Sequence, residues 1–400
     1  MMEPIHQDFS VQFSYDIRFT ENLFAPDNPL LANTVEQEGE DAPKKLIAVV
    51  DEGLLPHHEE LLDRIGAYAQ AHADTLTLEQ APIVVPGGEA AKNDPALVDR
   101  LHEEIYEARL DRHAFVMALG GGAVLDLAGY AAGTAHRGIR LIRVPTTVLS
   151  QNDSGVGVKN GVNAFDTKNF LGTFAPPFAV LNDATFLPTL DDRDWRAGIA
   201  EAIKVALIKD EAFFGELREM ASALAPPARD LDAMKRVVHR CAELHADHIA
   251  TSGDPFEMGS SRPLDFGHWA AHKLEELTGY DLRHGEAVAI GIALDCVYAH
   301  LGGRLDEDPL EAILSLMDAL GFDLYVPELT TRLEDPEHPD SLFQGLDAFR
   351  EHLGGQLTIM LIEDIGQSVE VHRVDRDRYR EAVSFLRSRQ NEREPLEVTR

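Results

Sequence analysis

Two histidines, His268 and His272, stand four residues apart in RPLDFGHWAAH, and a third, His284, follows in RHGEAVAIG. At that spacing the first pair shares one face of a helix. Imidazoles joined by a carboxylate can hold a divalent cation and leave a coordination position open for chemistry. Glu201, in AGIAEAIKVALIKD, is the favoured carboxylate, because its neighbours are mostly apolar and a carboxylate among them wants a cation. The plainer alternative is that a lone histidine on an apolar face is a satisfied core residue. Three of them beside two glycine-containing turns, FGH and RHGE, weigh toward a metal. H-x-x-x-H without the glutamate of HExxH carries no metalloprotease reading.

A second stretch suits a phosphate. VMALGGGAVLDLAGYAA puts Gly120, Gly121 and Gly122 between an apolar run and a helical pattern. Backbone N–H groups at such a turn can cradle a dinucleotide pyrophosphate. The order GGG-x-x-x-D is not GxGxxG, and a plain tight turn fits equally well. Asp51, closing KLIAVVD, suits ribose hydroxyls, and an acid there is also a common helix N-cap. Residues 144–177, VPTTVLSQNDSGVGVKNGVNAFDTKNFLGTFAPP, read as a long polar loop. Its Lys159, Lys168 and Asn169 offer donors to a phosphate or polyhydroxyl compound; the alternative is a solvated loop whose lysines offset nearby acids.

These residues need elements to position them. Apolar runs KLIAVVD, APIVV, AFVMALG and IRLIRVP alternate with helical patterns such as ALVDRLHEEIYEARL, which predicts a doubly wound, Rossmann-like α/β domain over 1–190. From 191 to 400 helical periodicity dominates, broken by the strand-like GQLTIMLIEDIGQSVEVHRV. A strand is expected over 10–22, loops over FAPDNPLLAN and 36–45, a final amphipathic helix, and a frayed tail NEREPLEVTR. Four hundred residues exceed one ordinary core, in keeping with two domains. The formal net charge of −33 excludes nucleic acid as a partner and argues against anionic membranes. No apolar run is long enough to cross a bilayer, and the N-terminus lacks the apolar core of a signal peptide. Cys241 and Cys296 read as buried thiols in a reducing compartment, so a cytoplasmic location is expected.

Several segments then fall into one order. GGGAVLDLAGYAAGTAHRGIRLIRVPTT, NDSGVGVKNGVN, TKNFLGTF, RAGIAEAIKVALI, LDFGHWAAH and LRHGEAVAIG follow one another as in 3-dehydroquinate synthase and its relatives, the sugar phosphate cyclases. The chain resembles that family clearly over about residues 45–300. The resemblance implies a phosphate-eliminating lyase with an NAD-binding N-terminal half and a zinc or cobalt ion in a helical C-terminal half. It implies Glu201, His268 and His284 as metal ligands. It implies NAD contacts at Asp51, Gly121, Gly122, Asp126, Thr146, Thr147 and Lys168, and at Glu89 and Lys92 of GEAAK, with Phe186, Thr189 and Leu190 in a loop closing over the cofactor. Asp153, Lys159, Asn169, Lys204 and His272 would meet substrate hydroxyls and phosphate. Arg137 matches an arginine that reaches a neighbouring subunit's site, so a homodimer is implied. The implied reaction oxidises a ring alcohol, eliminates phosphate, returns the hydride, opens the ring and closes a carbocycle by an intramolecular aldol step.

The chain departs from 3-dehydroquinate synthase where the substrate carboxylate would sit. The family's L-R-x-x-L-N-x-G-H is S-S-R-P-L-D-F-G-H, with Asp265 in place of asparagine and the arginine displaced by one position to Arg262. His245 stands where the family has a second substrate lysine, and His352 where it has a late one. A carboxylate wants Arg and Lys; an aspartate repels it and suits a hydroxyl. The pattern resembles cyclases of sedoheptulose 7-phosphate that form valiolone-type C7 cyclitols. The alternative is 3-dehydroquinate synthase itself, acting on 3-deoxy-arabino-heptulosonate 7-phosphate with Arg262 reaching the carboxylate through a shifted backbone. Two readings of other classes are a metal-dependent, NAD-linked polyol dehydrogenase, which would accumulate NADH, and a non-catalytic NAD-binding protein, which would have no need of Glu201, His268 and His284.

Overall fold

A computed structural model of the chain describes residues 2–36, 43–165, 167–256, 262–352 and 355–393. It divides into two compact units, residues 1–145 with 158–183 and residues 146–157 with 184–400. The expected tail lies mostly outside the described residues, as do most of the expected loop at 36–45 and the start of SSRPLDFGH.

The first unit is built on parallel strands: β1 (Asp16–Thr20), β2 (Lys44–Asp51), β3 (Leu76–Leu78), β4 (Ile83–Val85), β5 (Phe115–Gly120), β6 (Arg140–Pro145) and, after a hairpin, β9 (Ala179–Asp183). Their order is β1-β9-β6-β5-β2-β3, with β4 also on β2. Helices α1 (Leu30–Glu36), α2 (Leu61–Ala71), α3 (Glu89–Asn93), α4 (Pro95–Glu107) and α5 (Gly122–Thr134) connect and flank them. The inner strands are apolar almost end to end because both faces of a parallel sheet are covered. This is the doubly wound α/β half that the alternating pattern predicts.

Three local expectations change. Regular pairing begins only at Asp16, so the strand over 10–22 is shorter than its alternation suggests. FAPDNPLLAN leads into α1: Asn28 Oδ1 accepts from the N–H of Leu30 at 3.0 Å, and Leu31, Ala32 and Val35 are buried. The polar stretch 144–177 is not a loop. It holds a π-helical turn at Ser150–Ser154 and an antiparallel hairpin of β7 (Lys159–Ala164) and β8 (Thr167–Phe174). Fully buried Arg143 explains the hairpin's seat, its Nη2 donating to the carbonyl of Lys159 at 2.8 Å and to Asn160 Oδ1 at 2.7 Å.

The second unit is helical: α6 (Asp192–Lys209), α7 (Glu211–Leu224), α8 (Leu231–Thr251), α9 (His268–Leu277), α10 (His284–Leu301), α11 (Glu307–Ala319), α12 (Gln344–His352) and α13 (Arg376–Arg393), with a hairpin of β10 (Ile359–Asp364) and β11 (Gln367–Val371). Asp191, Asp210 and Asp230 cap α6, α7 and α8 through their carboxylates. The core runs through α6 and α10, which are buried on nearly every face. Each fully buried Leu, Ile or Val there contributes roughly 1.5–3 kcal/mol. The turn at 150–154 belongs to this unit: the backbone of Val148 and Leu149 lies against Gly198, and Asn152 Nδ2 donates to the Gly198 carbonyl at 2.7 Å. Both cysteines are buried in helices and unpaired. No described helix is long and apolar enough to cross a membrane.

Candidate metal and cofactor sites

In the second unit α6, α9 and α10 approach unusually closely, and glycine lets them. A Cβ on Gly285 would lie 2.2 Å from the Ala197 carbonyl oxygen, so α10 enters hard against α6 just after His284. A Cβ on Gly291 would lie 2.0 Å from the Gly267 carbonyl oxygen, and Gly267, at φ +78°, turns the chain into α9 just before His268. These crossings bring one residue from each helix together. Nε2 of His284 and Nε2 of His268 lie 3.5 and 3.8 Å from Glu201 Oε1. A tetrahedral cation with bonds of about 2.0–2.2 Å spaces its ligand atoms roughly 3.3–3.6 Å apart, so the trio stands near the separation zinc would set.

The donor chemistry fits as well. Glu201 is fully buried, and its Oε1 makes no hydrogen bond among the described residues. His268 Nδ1 lies 3.0 Å from the Phe266 carbonyl, which can only accept, so the proton sits on Nδ1 and Nε2 faces Glu201 with its lone pair. Burial and the charge of Lys204 hold His268 below its ordinary pKa, in the neutral form a cation needs. Burial also disfavours the imidazolium of His284, but the carboxylates of Glu201 and Glu275 outweigh it and push the group up to about 10. Burial raises Glu201, yet neighbouring Lys204 prevails and holds it at about 2.

Glu275 is the residue that the sequence reading missed. It is buried, and its Oε2 stands 3.4 Å from Nδ1 of His284, on the side away from Glu201. A carboxylate behind a ligand imidazole fixes its tautomer and orientation. The signal was available: His268, His272 and Glu275 fall at i, i+4 and i+7 of one helix face.

Charge alternates away from this cluster. Lys204, buried one turn from Glu201, contacts Glu201 Oε2 and lies 3.5 Å from Asp153 Oδ1, which is 3.0 Å from His245 Nδ1. Burial would raise Asp153, but Lys204 and His245 hold it well below the usual carboxylate range. Burial would lower Lys204, but Glu201 and Asp153 hold it above the ordinary lysine value. His272 is solvent-exposed, its ring centroid 5.5 Å from that of His268 and 5.9 Å from that of His284. Asp265 is half-buried in the turn before α9, with Arg262 Nη1 3.9 Å from its Oδ2. Thr146 is buried, and Thr147 bonds the Ser150 hydroxyl at 2.8 Å. Phe186 is buried in the turn Ala184–Thr189, whose Thr189 hydroxyl donates to the Phe186 carbonyl at 2.8 Å; the Leu190 carbonyl accepts from Arg229 at 2.6 Å. His352 ends α12, and its side chain lies outside the described residues.

The first unit gathers its own cluster at the carboxyl ends of β2 and β5. Asp51 Oδ1 accepts from the N–H of Gly53 at 2.8 Å, so Asp51 does cap the short turn after β2. A Cβ on Gly120 would lie 3.0 Å from the Asp51 Cβ, which packs the glycine turn against that acid. Gly121 is the N-cap of α5 and offers the helix's first N–H groups no side-chain acceptor, as suits the approach of an anion. One turn on, Asp126 pairs with buried Lys92 at 2.7 Å, and Lys92 also contacts Asn169 Oδ1. Glu89 accepts from Asn163 at 2.9 Å and pairs with Lys168 at 3.4 Å. Lys159 is exposed at the start of β7, and Arg137 is exposed in a turn at φ 65°.

The 3-dehydroquinate synthase N-terminal model matches residues 82–197, and the C-terminal model matches residues 198–336. A 3-dehydroquinate synthase of Ruegeria pomeroyi is 35% identical over 380 residues, covering 94% of this chain and 96% of the relative. A 2-epi-5-epi-valiolone synthase of Streptomyces glaucescens is 33% identical over 362 residues, 90% of this chain and 87% of the relative. Among solved structures, the 2-epi-5-epi-valiolone synthase of Streptomyces hygroscopicus subsp. jinggangensis, with NAD+ and Zn2+ bound, superposes with a TM-score of 0.84 at 30% identity over 96% of this chain and 100% of that one. One unit whose helices converge on a carboxylate and two imidazoles, and another built on a parallel sheet with a glycine turn, therefore occur here in a member of the 3-dehydroquinate synthase family of sugar phosphate cyclases.

Proposed function

We propose that the chain is an NAD- and metal-dependent cyclase of sedoheptulose 7-phosphate that forms a valiolone-type C7 cyclitol. The observation that carries the substrate choice is the pairing of Arg262 with Asp265. The two lie 3.9 Å apart, so the cation nearest to the family's carboxylate-binding position already faces an anion of its own chain. Asp265 also adds negative charge beside Lys204 and His268. A substrate carboxylate would meet repulsion there; a hydroxymethyl ketone would find an acceptor for its hydroxyl. The name of the structural relative with NAD+ and Zn2+ bound points the same way. The second reading is 3-dehydroquinate synthase, favoured by the relative from Ruegeria pomeroyi.

In this reading Glu201, His268 and His284 hold the cation, and Asp51, Glu89, Lys92, Gly121, Gly122, Asp126, Thr146, Thr147, Lys168, Phe186, Thr189 and Leu190 hold NAD. When bound, these two groups supply polarisation of a ring oxygen and a hydride store that is refilled within each turnover. The protein's residues do the rest. Lys204 stays cationic between Glu201 and Asp153 and orients a substrate hydroxyl or phosphate oxygen. Asp153, kept anionic, accepts from a substrate hydroxyl and holds His245. His272, Lys159 and Asn169 complete the polar contacts. Arg137 and a second copy belong to the same proposal: Phe165, Phe170, Leu171 and Phe174 are large apolar side chains left exposed on the β7–β8 hairpin, as a homodimer contact would require.

Phosphate release from sedoheptulose 7-phosphate and from 3-deoxy-arabino-heptulosonate 7-phosphate, assayed in parallel with NAD and zinc or cobalt, tests the reading. Release from the first alone, without net NADH, is expected. Release from the second alone would restore 3-dehydroquinate synthase; steady NADH production would indicate a dehydrogenase.

A further inference from the structure

Asp295 is a fully buried carboxylate that the proposed reaction does not use. It lies eleven residues after His284 on α10, about three turns and hence on the same face. Gly291, where α10 touches Gly267, lies between them on that face. Asp295 Oδ1 accepts two hydrogen bonds, from Trp269 Nε1 at 3.0 Å and from the Tyr379 hydroxyl at 2.8 Å. Trp269 follows His268 directly in α9. Tyr379 belongs to α13, which lies beyond residue 336, where the C-terminal family model ends. Tyr379 also packs its ring edge on Trp269, centroids 4.9 Å apart, and stacks on Tyr298 of α10 at 4.0 Å.

The bonds tie three helices at one oxygen. His268 and His284 sit on α9 and α10, so their separation depends on how these two helices are held together. The ties between them include the backbone contact of Gly267 with Gly291, the Glu275–His284 pair and the Trp269–Asp295 bond. No arginine or lysine is paired with this carboxylate among the described residues, and burial raises it to about 7 despite the donors Trp269, Tyr379 and the Gly267 amide. A buried acid held only by neutral donors is costly to keep. Its place between two ligand-bearing helices gives that cost a return in geometry.

We propose that Asp295, with Tyr379 of the C-terminal helix, is a positioning residue of the metal centre that sets the approach of His268 to His284. The inference rests on the metal-binding part of the proposed function. It also gives α13 a role in the site without contact to substrate or cofactor.

The test measures zinc affinity of the full chain by competition with a chromophoric chelator, and the visible absorption spectrum after cobalt substitution, for wild type, D295N, Y379F and W269F. D295N keeps an oxygen for Trp269 and Tyr379 but turns an N–H group toward the Gly267 amide, itself a donor to the carboxylate. It is expected to weaken zinc binding about tenfold, at the low end for groups that orient ligands, and to shift the cobalt bands. Y379F removes one hydroxyl and is expected to cost a smaller, few-fold loss; W269F should match D295N. A lower melting temperature with wild-type zinc affinity and an unchanged cobalt spectrum would show a purely structural role and overturn the proposal. If D295N fails to fold, Y379F and W269F decide by the same two readouts. Wild-type protein that takes up neither zinc nor cobalt would instead overturn the metal reading, and this inference with it.

Discussion

The two clusters of polar side chains are built on opposite principles. In the first unit the groups satisfy one another: Lys92 meets Asp126 and Asn169, Lys168 meets Glu89, and Asp51 bonds the Gly53 amide. In the second unit the imidazoles of His268 and His284 point at a buried carboxylate oxygen that makes no hydrogen bond of its own among the described residues. A cation inserted there relieves an existing imbalance, whereas a cofactor in the first unit exchanges contacts that are already good. The proposed metal centre should therefore be intolerant of substitution, and the proposed cofactor cluster graded in its response.

The largest effect is expected at Glu201. E201Q removes the anion that both histidines face and leaves Lys204 with Asp153 alone. Metal analysis should find no stoichiometric zinc, and phosphate release should fall at least roughly a thousandfold, the several kcal/mol that polarisation by a metal supplies. Full zinc occupancy in E201Q would break the comparison, because the carboxylate would then be a structural partner of Lys204.

Next is Glu275 with the proton on His284. The pKa of His284 is raised, so its ion pairs stabilise the apoprotein fully below pH 6.5, and that contribution is lost as pH rises through about 10. A cation must displace this proton. Zinc affinity should rise about tenfold per pH unit between 6.5 and 8.5, and calorimetry in buffers of different ionisation enthalpy should show about one proton released per zinc. E275Q should weaken zinc roughly 10–100-fold and reduce the proton release. A pH-independent affinity would show that His284 is neutral before the metal arrives.

What was legible follows the range of the forces. Strands such as KKLIAVVD and FVMALG are buried on both faces, and an unbroken apolar run says so locally. Glu201 was legible because an acid between AGIA and the apolar VALI is costly to bury unless a cation meets it. The stretch 144–177 misled because its Gly and Asn content reads as loop, while its hairpin is seated by Arg143 reaching Asn160 and the Lys159 carbonyl, pairings that composition cannot announce. Asn169, read as a substrate contact, also turns out to face Lys92 from far along the chain. Glu275 carried a usable spacing, but its meaning depended on His284, contributed by another helix. Asp295 reads as one polar residue in the apolar run of α10, and its two donors come from elsewhere in the chain.

The smallest effect separates the two meanings of Asp51. The sequence allowed a ribose acceptor or a helix cap, and the structure shows the cap, Oδ1 accepting from Gly53 at 2.8 Å. Capping does not exhaust the residue. Burial raises its pKa, the backbone amides of Gly53 and Gly121 lower it only in part, and a Cβ on Gly87 would come within 2.3 Å of Oδ1. An acid wedged against glycines on more than one side is more than a turn needs. D51S keeps a good capping oxygen and removes the charge, so the melting temperature should move little, by less than the equivalent of about 1 kcal/mol. NAD affinity measured by calorimetry should nonetheless fall about tenfold, the difference between a charged and a neutral acceptor for a ribose hydroxyl. Unchanged NAD affinity would reduce Asp51 to its cap. A tenfold loss at constant stability would show that even where a site is internally satisfied, one of its groups is held back for the ligand.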